Sequence, residues 1–223
     1  MTNPLKDNYF VRRASCVVAL VAALGCGGKK STKEPTPVPT APLPTAGLAG
    51  QRVALTPLAL VAAEDTLRLD ALIADRRTTL DRCDSIIVTL LAARAPEVTW
   101  VGPAELRHVA RRAPGIAADP DQMGTPFLRA ANVIVVPDPL RYQLRTLMGL
   151  VGGRYALVPA GLVFRKPAAG PSGRPADVRA ELSVVMIDSR VGRVGFRTMA
   201  WGEGEDAWTA LTRAVKSLTP GLP

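Results

Sequence analysis

The side chains able to do chemistry are few and widely spaced. Cys26 stands where an uncharged run, Ala14–Leu24, ends in Gly25 and gives way to glycine and lysine at 27–30. A thiol on such a boundary can be alkylated by a diacylglycerol, after which cleavage ahead of the cysteine leaves it as the first residue. Of the other two cysteines, Cys16 lies inside the run and Cys83 inside a helical pattern. Loss of Cys16 and acylation of Cys26 would leave Cys83 alone, with no intrachain disulfide possible. His108 is the single histidine, and without a second histidine or a cysteine cluster zinc binding has no ligand set. Ser85 could be imagined as a nucleophile beside it, but no Gly-x-Ser-x-Gly elbow surrounds it. Arg141 and Arg145 stand one helical turn apart with Tyr142 beside them. That trio could grip a carboxylate or phosphate and offer a flat apolar anchor; its other meaning is a solvated helix face. The acids of "EGED", Glu203–Asp206, fit a helix N-terminus rather than a catalytic pair. No catalytic residue, metal site or cofactor is expected.

The elements around Cys26 decide what its thiol is for. A basic lead ending in Arg12-Arg13 precedes the eleven uncharged residues, the shape of a signal peptide over residues 1–25. A spanning helix needs about 20 apolar residues, so this run is too short for a permanent transmembrane anchor. "AALGC" resembles the bacterial lipobox: Gly25 fits, and Ala23 stands where leucine is commoner. Lipidation of Cys26 and simple secretion with cleavage a few residues further on are the two readings. Gly27 is not the aspartate that marks inner-membrane retention, which points to the outer membrane. Residues 26–50 then form a tether carrying five prolines and, as bulky apolar groups, little beyond Leu43 and Leu48. Such a segment buries too little to fold and favours extended polyproline II.

The formal net charge is +9, and +7 once the three basic and one acidic residues of the signal are removed. Export argues against nucleic acid as the partner. An anionic envelope surface is the better candidate if the charge matters, and fortuitous basicity in an arginine- and alanine-rich chain is the alternative.

Residues 51–223 are enough for one domain with a sizeable core. "RVALTPLALV", residues 52–61, predicts a strand buried on both faces. Leu80, Cys83, Ile87, Leu90 and Leu91 recur at three and four, predicting an amphipathic helix with Cys83 inward. Strand Glu97–Val101 and a helix opened by Pro103 follow, then a loop with an unassigned apolar run at Val133–Val136. Leu140, Leu144, Leu147, Met148 and Val151 predict a helix from Pro139 to Val151, with Asp138 as cap and Gly152-Gly153 as stop. The last third predicts a strand in "RYALVPAGLVFRK", an antiparallel hairpin turning at Gly192, and a closing helix with Trp208, Leu211, Val215 and Leu218 inward.

This order of elements resembles the small periplasmic domain shared by the amino-terminal part of TolB, the curli-secretion lipoprotein and the lipoprotein activators of penicillin-binding proteins. The carrying stretches are "RVALTPLAL", "GGRYALVPAGLVF" and "ELSVVMIDSRVGRVGFRTMAWGEG", within residues 51–218. The resemblance implies an α+β fold with a mixed sheet of about five strands, helices packed mainly on one side and a C-terminal hairpin. It also implies an envelope location and protein binding without catalysis. No propeller repeats follow as in TolB, and no paired alternating segments line a pore as in the curli exporter. An anchored, Pro-tethered single domain is closest to the synthase activators, so the expected partner is an envelope protein, either a peptidoglycan synthase or a secretion or assembly component. The alternative is a hydrolase or small-ligand-binding envelope protein without a recognisable motif.

Overall fold

A computed structural model describes residues 40–167 and 177–219. The signal peptide, Cys26, the tether as far as residue 39 and most of the Pro- and Gly-rich loop after Lys166 lie outside the described residues. No helix among the described residues is long and apolar enough to cross a membrane.

In chain order the elements are β1 (Arg52–Leu55), β2 (Val61–Ala63), α1 (Asp70–Ala74), α2 (Arg76–Arg94), β3 (Thr99–Val101), α3 (Pro103–Arg112), α4 (Leu140–Val151), β4 (Tyr155–Arg165), β5 (Val178–Asp188), β6 (Arg193–Gly204) and α5 (Ala207–Leu218). The strands make one mixed sheet. Its main order is β3-β1-β4-β5-β6, with β2 as a sixth strand beside β4. β1 runs parallel to β3 and β4, while β4, β5 and β6 are successively antiparallel. The α+β class, the mixed sheet and the C-terminal hairpin match what the sequence predicts.

Three details differ. The single strand expected over residues 52–61 is two strands, because Pro57 has no N–H to give a ladder. On either side of it the backbone finds other partners: Thr56 N–H donates to the Leu157 carbonyl at 3.0 Å and Leu58 N–H to Asp84 Oδ1 at 2.8 Å. Next, helices cover both faces of the sheet rather than mainly one. Leu55, Leu157, Leu162, Phe164, Leu182 and Val184 point to the face packed by α2 and α5. The alternate positions Ala54, Ala156, Val158, Val185 and Ile187 point to the face packed by α3 and α4. Finally, residues 113–137 supply Met123, Leu128 and Val136 to that second layer through two 3-10 turns, Pro120–Gln122 and Thr125–Arg129.

The folded part also begins before residue 51. Thr45–Leu48 is a 3-10 turn, and Leu43 and Leu48, expected in a solvated tether, are buried in the α2–α5 layer. Burying each leucine favours folding by about 2 kcal/mol. Leu43 N–H donates to the Leu218 carbonyl at 2.8 Å, and Thr198 Oγ1 to the Ala41 carbonyl at 2.6 Å. This segment is therefore stitched to the end of α5 and to β6.

Candidate functional site

The predicted stripe of α4 is buried throughout: Leu140, Leu144, Leu147, Met148 and Val151 all face the sheet. With that side occupied, the 3.6-residue period turns Arg141, Tyr142 and Arg145 outward, and all three are exposed. The helix ends at Gly152, whose φ of +70° sets the left-handed C-cap. It begins one residue later than predicted, and Asp138 does not cap it. The Asp138 carboxylate instead accepts from the Arg141 guanidinium at 2.8 and 3.2 Å.

What lies opposite α4 is the β5–β6 turn. β5 ends at Asp188, and the chain reverses through Ser189, Arg190, Val191 and Gly192. Gly192 has φ +67°, which favours glycine, and a Cβ there would collide with the aliphatic part of Arg141. The turn is held from below: Ser189 N–H and Oγ both donate to the Arg154 carbonyl, at 3.0 and 2.7 Å. The Val133–Val136 run completes this end as a short edge segment, with Val135 bridging Arg193 and Ile134 accepting from Val194 N–H at 2.9 Å. Between helix and turn runs an open groove of about 560 Å³, lined by Arg141, Tyr142 and Arg145 on one side and by Arg190 and Val191 on the other. Arg190 and Val191 are the residues that sequence reasoning missed. The tight-turn signal around Gly192 was visible, but nothing in it told that the turn would face α4.

Electrostatically, this end is cationic and only partly neutralised. Arg154 Nε donates to Asp188 Oδ2 at 2.9 Å, and that hydrogen bond holds the Asp188 carboxyl below its ordinary value. Arg141 is spent on Asp138. The guanidinium groups of Arg145 and Arg190 have no carboxylate partner among the described residues, although the Arg190 backbone N–H donates to Asp188 Oδ1 at 3.0 Å.

A second polar cluster joins α2 of one layer to α3 of the other. Arg107 donates to Asp84 at 2.9 Å and to both oxygens of Asp121, while Arg77 reaches Asp81 at 3.0 Å and Asp121 at 3.2 Å. Burial pushes the Asp84 carboxyl up to about 6, although the Leu58 N–H and Arg107 favour its charged form. For Asp121 burial acts in the same direction, but the hydrogen bonds and charges of Arg107 and Arg77 overcome it and hold the group low. Two arginines here face three carboxylates, and together they tie α2, α3 and the Pro120–Gln122 turn.

The other singled-out residues are scattered. Cys83 is buried at the α2–α5 layer, and burial pushes its thiol up to about 12. His108 is exposed on α3, and Ser85 Oγ donates to the Asp81 carbonyl at 2.9 Å, so the two are not brought together. Asp206 caps α5, accepting from Trp208 and Thr209 N–H, and its hydrogen bonds to Thr209 hold its carboxyl low. No group of three metal-ligating side chains occurs among the described residues. Cys26 lies outside them.

No protein-family model matches the sequence, and no curated protein matches it. Solved structures that resemble the fold include the LpoB C-terminal domain from Salmonella enterica, at 12% identity over 69% of this chain and 82% of that one, with a TM-score of 0.34. The PelC dodecamer from Paraburkholderia phytofirmans matches at 10% identity over 84% and 96%, with a TM-score of 0.33. Lipoprotein GNA1162 from Neisseria meningitidis matches at 11% identity over 69% and 80%, with a TM-score of 0.30.

Proposed function

We propose that the chain is a cell-envelope lipoprotein, held to the periplasmic face of the outer membrane through acyl chains on Cys26, whose folded domain is a non-catalytic protein-binding adaptor or activator in envelope assembly. Its partner is an envelope protein, such as a peptidoglycan synthase or an assembly component. The anchor rests on the sequence: a basic lead, a short apolar run, small residues before Cys26, then a Pro-rich tether. More than one acyl chain makes such anchoring stable.

The observation that carries the adaptor role is the grouping of Arg141, Tyr142 and Arg145 with Arg190 and Val191 around one solvent-open groove. Arginine and tyrosine are enriched at binding hot spots, and an exposed aromatic beside a cleft is a ready anchor. A hydrolase would need a nucleophile and base within hydrogen-bond reach, and Ser85 and His108 do not form such a pair.

Intact mass of the membrane-extracted protein tests the anchor. The expected product begins at Cys26 and carries acyl mass, and Cys26→Ala releases it from membranes; an unacylated product overturns this half. For the adaptor, in-envelope crosslinking is compared between the unaltered chain and Tyr142→Ala/Arg145→Glu. Both side chains are exposed, so stability should change by no more than about 0.5 kcal/mol. Arg141 is left in place because a glutamate there would face Asp138. A crosslinked envelope protein that disappears in the variant supports the reading. A partner captured equally by both excludes this groove.

A further inference from the structure

The groove beside α4 does not end at the β5–β6 turn. A second groove of about 720 Å³ adjoins it, running past Gly149, Gly152 and Gly153 toward Arg52 and Arg154, and Arg145, Ser189 and Arg190 line both. Five arginines border the combined channel: Arg52, Arg141, Arg145, Arg154 and Arg190. Three have carboxylate partners, Arg52 with Glu105 at 2.9 Å, Arg141 with Asp138 at 2.8 Å and Arg154 with Asp188. The surplus is thus two, and it sits where the grooves meet, at Arg145 and Arg190. At one end of the channel, Tyr142 and Val191 are 66% and 58% exposed.

We propose, building on the adaptor reading above, that the partner docks through an acidic, extended segment: its carboxylates are held by Arg145 and Arg190, and a neighbouring apolar side chain rests against Tyr142 and Val191. Guanidinium groups not already engaged by carboxylates can form charge-assisted, bidentate bonds to an incoming one. The three internal pairs keep the other arginines and their acids from competing for it. The recess is concave and elongated, which fits a chain better than a flat bilayer. A symmetric second copy would set this cationic face against itself.

The decisive choice of residues is Arg190 with Arg145, not Arg141. Arg141 is engaged by Asp138 and lies over Gly192, so its role is to shape the groove wall.

The test uses the mature chain with Cys26→Ala, so that no acyl group contributes, and a fluorescein-labelled random copolymer of glutamate and tyrosine as probe, read by anisotropy. Arg145→Glu/Arg190→Glu is compared with Arg111→Glu/Arg112→Glu, which makes the same change in net charge on exposed residues of α3. Arg145→Gln/Arg190→Gln repeats the comparison without charge reversal should the first pair perturb folding. The expected result is saturable, salt-sensitive binding that falls at least about tenfold in the groove variants and stays within about twofold in the α3 variant. Equal weakening in both pairs overturns the proposal, since net charge alone would explain it. So does the absence of polymer binding, or binding seen only with vesicles of phosphatidylglycerol and phosphatidylethanolamine, which would assign the face to lipid. Polymer binding through Arg190 with no crosslinked envelope protein would sink the adaptor reading and leave this inference standing. A crosslink lost in Tyr142→Ala/Arg145→Glu but indifferent to Arg190→Glu would do the reverse.

Discussion

Asp84 is a carboxylate whose environment changes its charge within the mildly acidic range. It is almost wholly buried, and its carboxyl is pushed from 3.8 up to about 6. A folded value above the unfolded one means that the native state binds the proton more tightly between those limits. Stability contributed by the protonated group is therefore fully present below about pH 4 and is lost as pH rises toward about 6, an effect of at most about 3 kcal/mol. Asp121 works the other way: its lowered carboxyl contributes stability that disappears as pH falls below the ordinary carboxylate range. Denaturant melts between pH 4 and pH 6 should show unfolding free energy declining as pH rises. Asp84→Asn keeps an acceptor for Leu58 N–H and should flatten that slope. A variant with the same slope as the unaltered chain would locate the titration elsewhere. The same burial that shifts Asp84 was legible for Cys83, whose place in a three-and-four repeat marked it as packing. It was not legible for Asp84, because a charged residue one position along the helix reads as its solvated side until Leu58 and Arg107 are placed against it.

At the scale of elements, α5 packs directly against the backbone of β6. A Cβ on Gly202 would run into backbone atoms of α5 around Ala214, and one on Gly204 would come within 2.7 Å of Ala210 N. These two glycines let helix and strand touch directly, and backbone cannot give way as a side-chain tip can. Gly202→Ala should lower the urea midpoint with little change in slope, by a stability equivalent of about 1–3 kcal/mol. An unchanged midpoint would mean that α5 can lift off the strand at no cost. Periodicity made α4 and α5 readable in the sequence, since each buries one side only, and the turn at Gly192 marked the hairpin. Periodicity failed where both sides are buried. "YALVPAGLVF" is apolar at nearly every position because β4 has helices above and below it, yet a continuous run carries no label for which layer lies where. Likewise, Arg190 meets α4 only because β5 lies beside β4 in the sheet, a long-range pairing that no local pattern records.

For the whole molecule, the relation of the folded part to its anchor changes once residues 40–50 belong to the domain. Thirteen residues separate Cys26 from Thr40, and even fully extended they span no more than about 50 Å. A domain anchored as proposed would work close to its membrane and could not reach far for a partner. The hydrogen bond from Leu43 to Leu218 adds a further consequence: the start and finish of the folded chain are neighbours. Adjacent termini permit circular permutation. A chain that joins Thr219 to Thr40 by a short glycine linker and opens between Pro167 and Asp177 would keep all strand pairings and all five helices. It should melt cooperatively, with near-native circular dichroism. Failure to fold would show that the stitch at Leu43 must form from a free end. If it folds, moving the Pro-rich leash to the new terminus beside β5 turns the domain over relative to the lipid while leaving its surface chemistry untouched, and so separates what the adaptor binds from which way it must face.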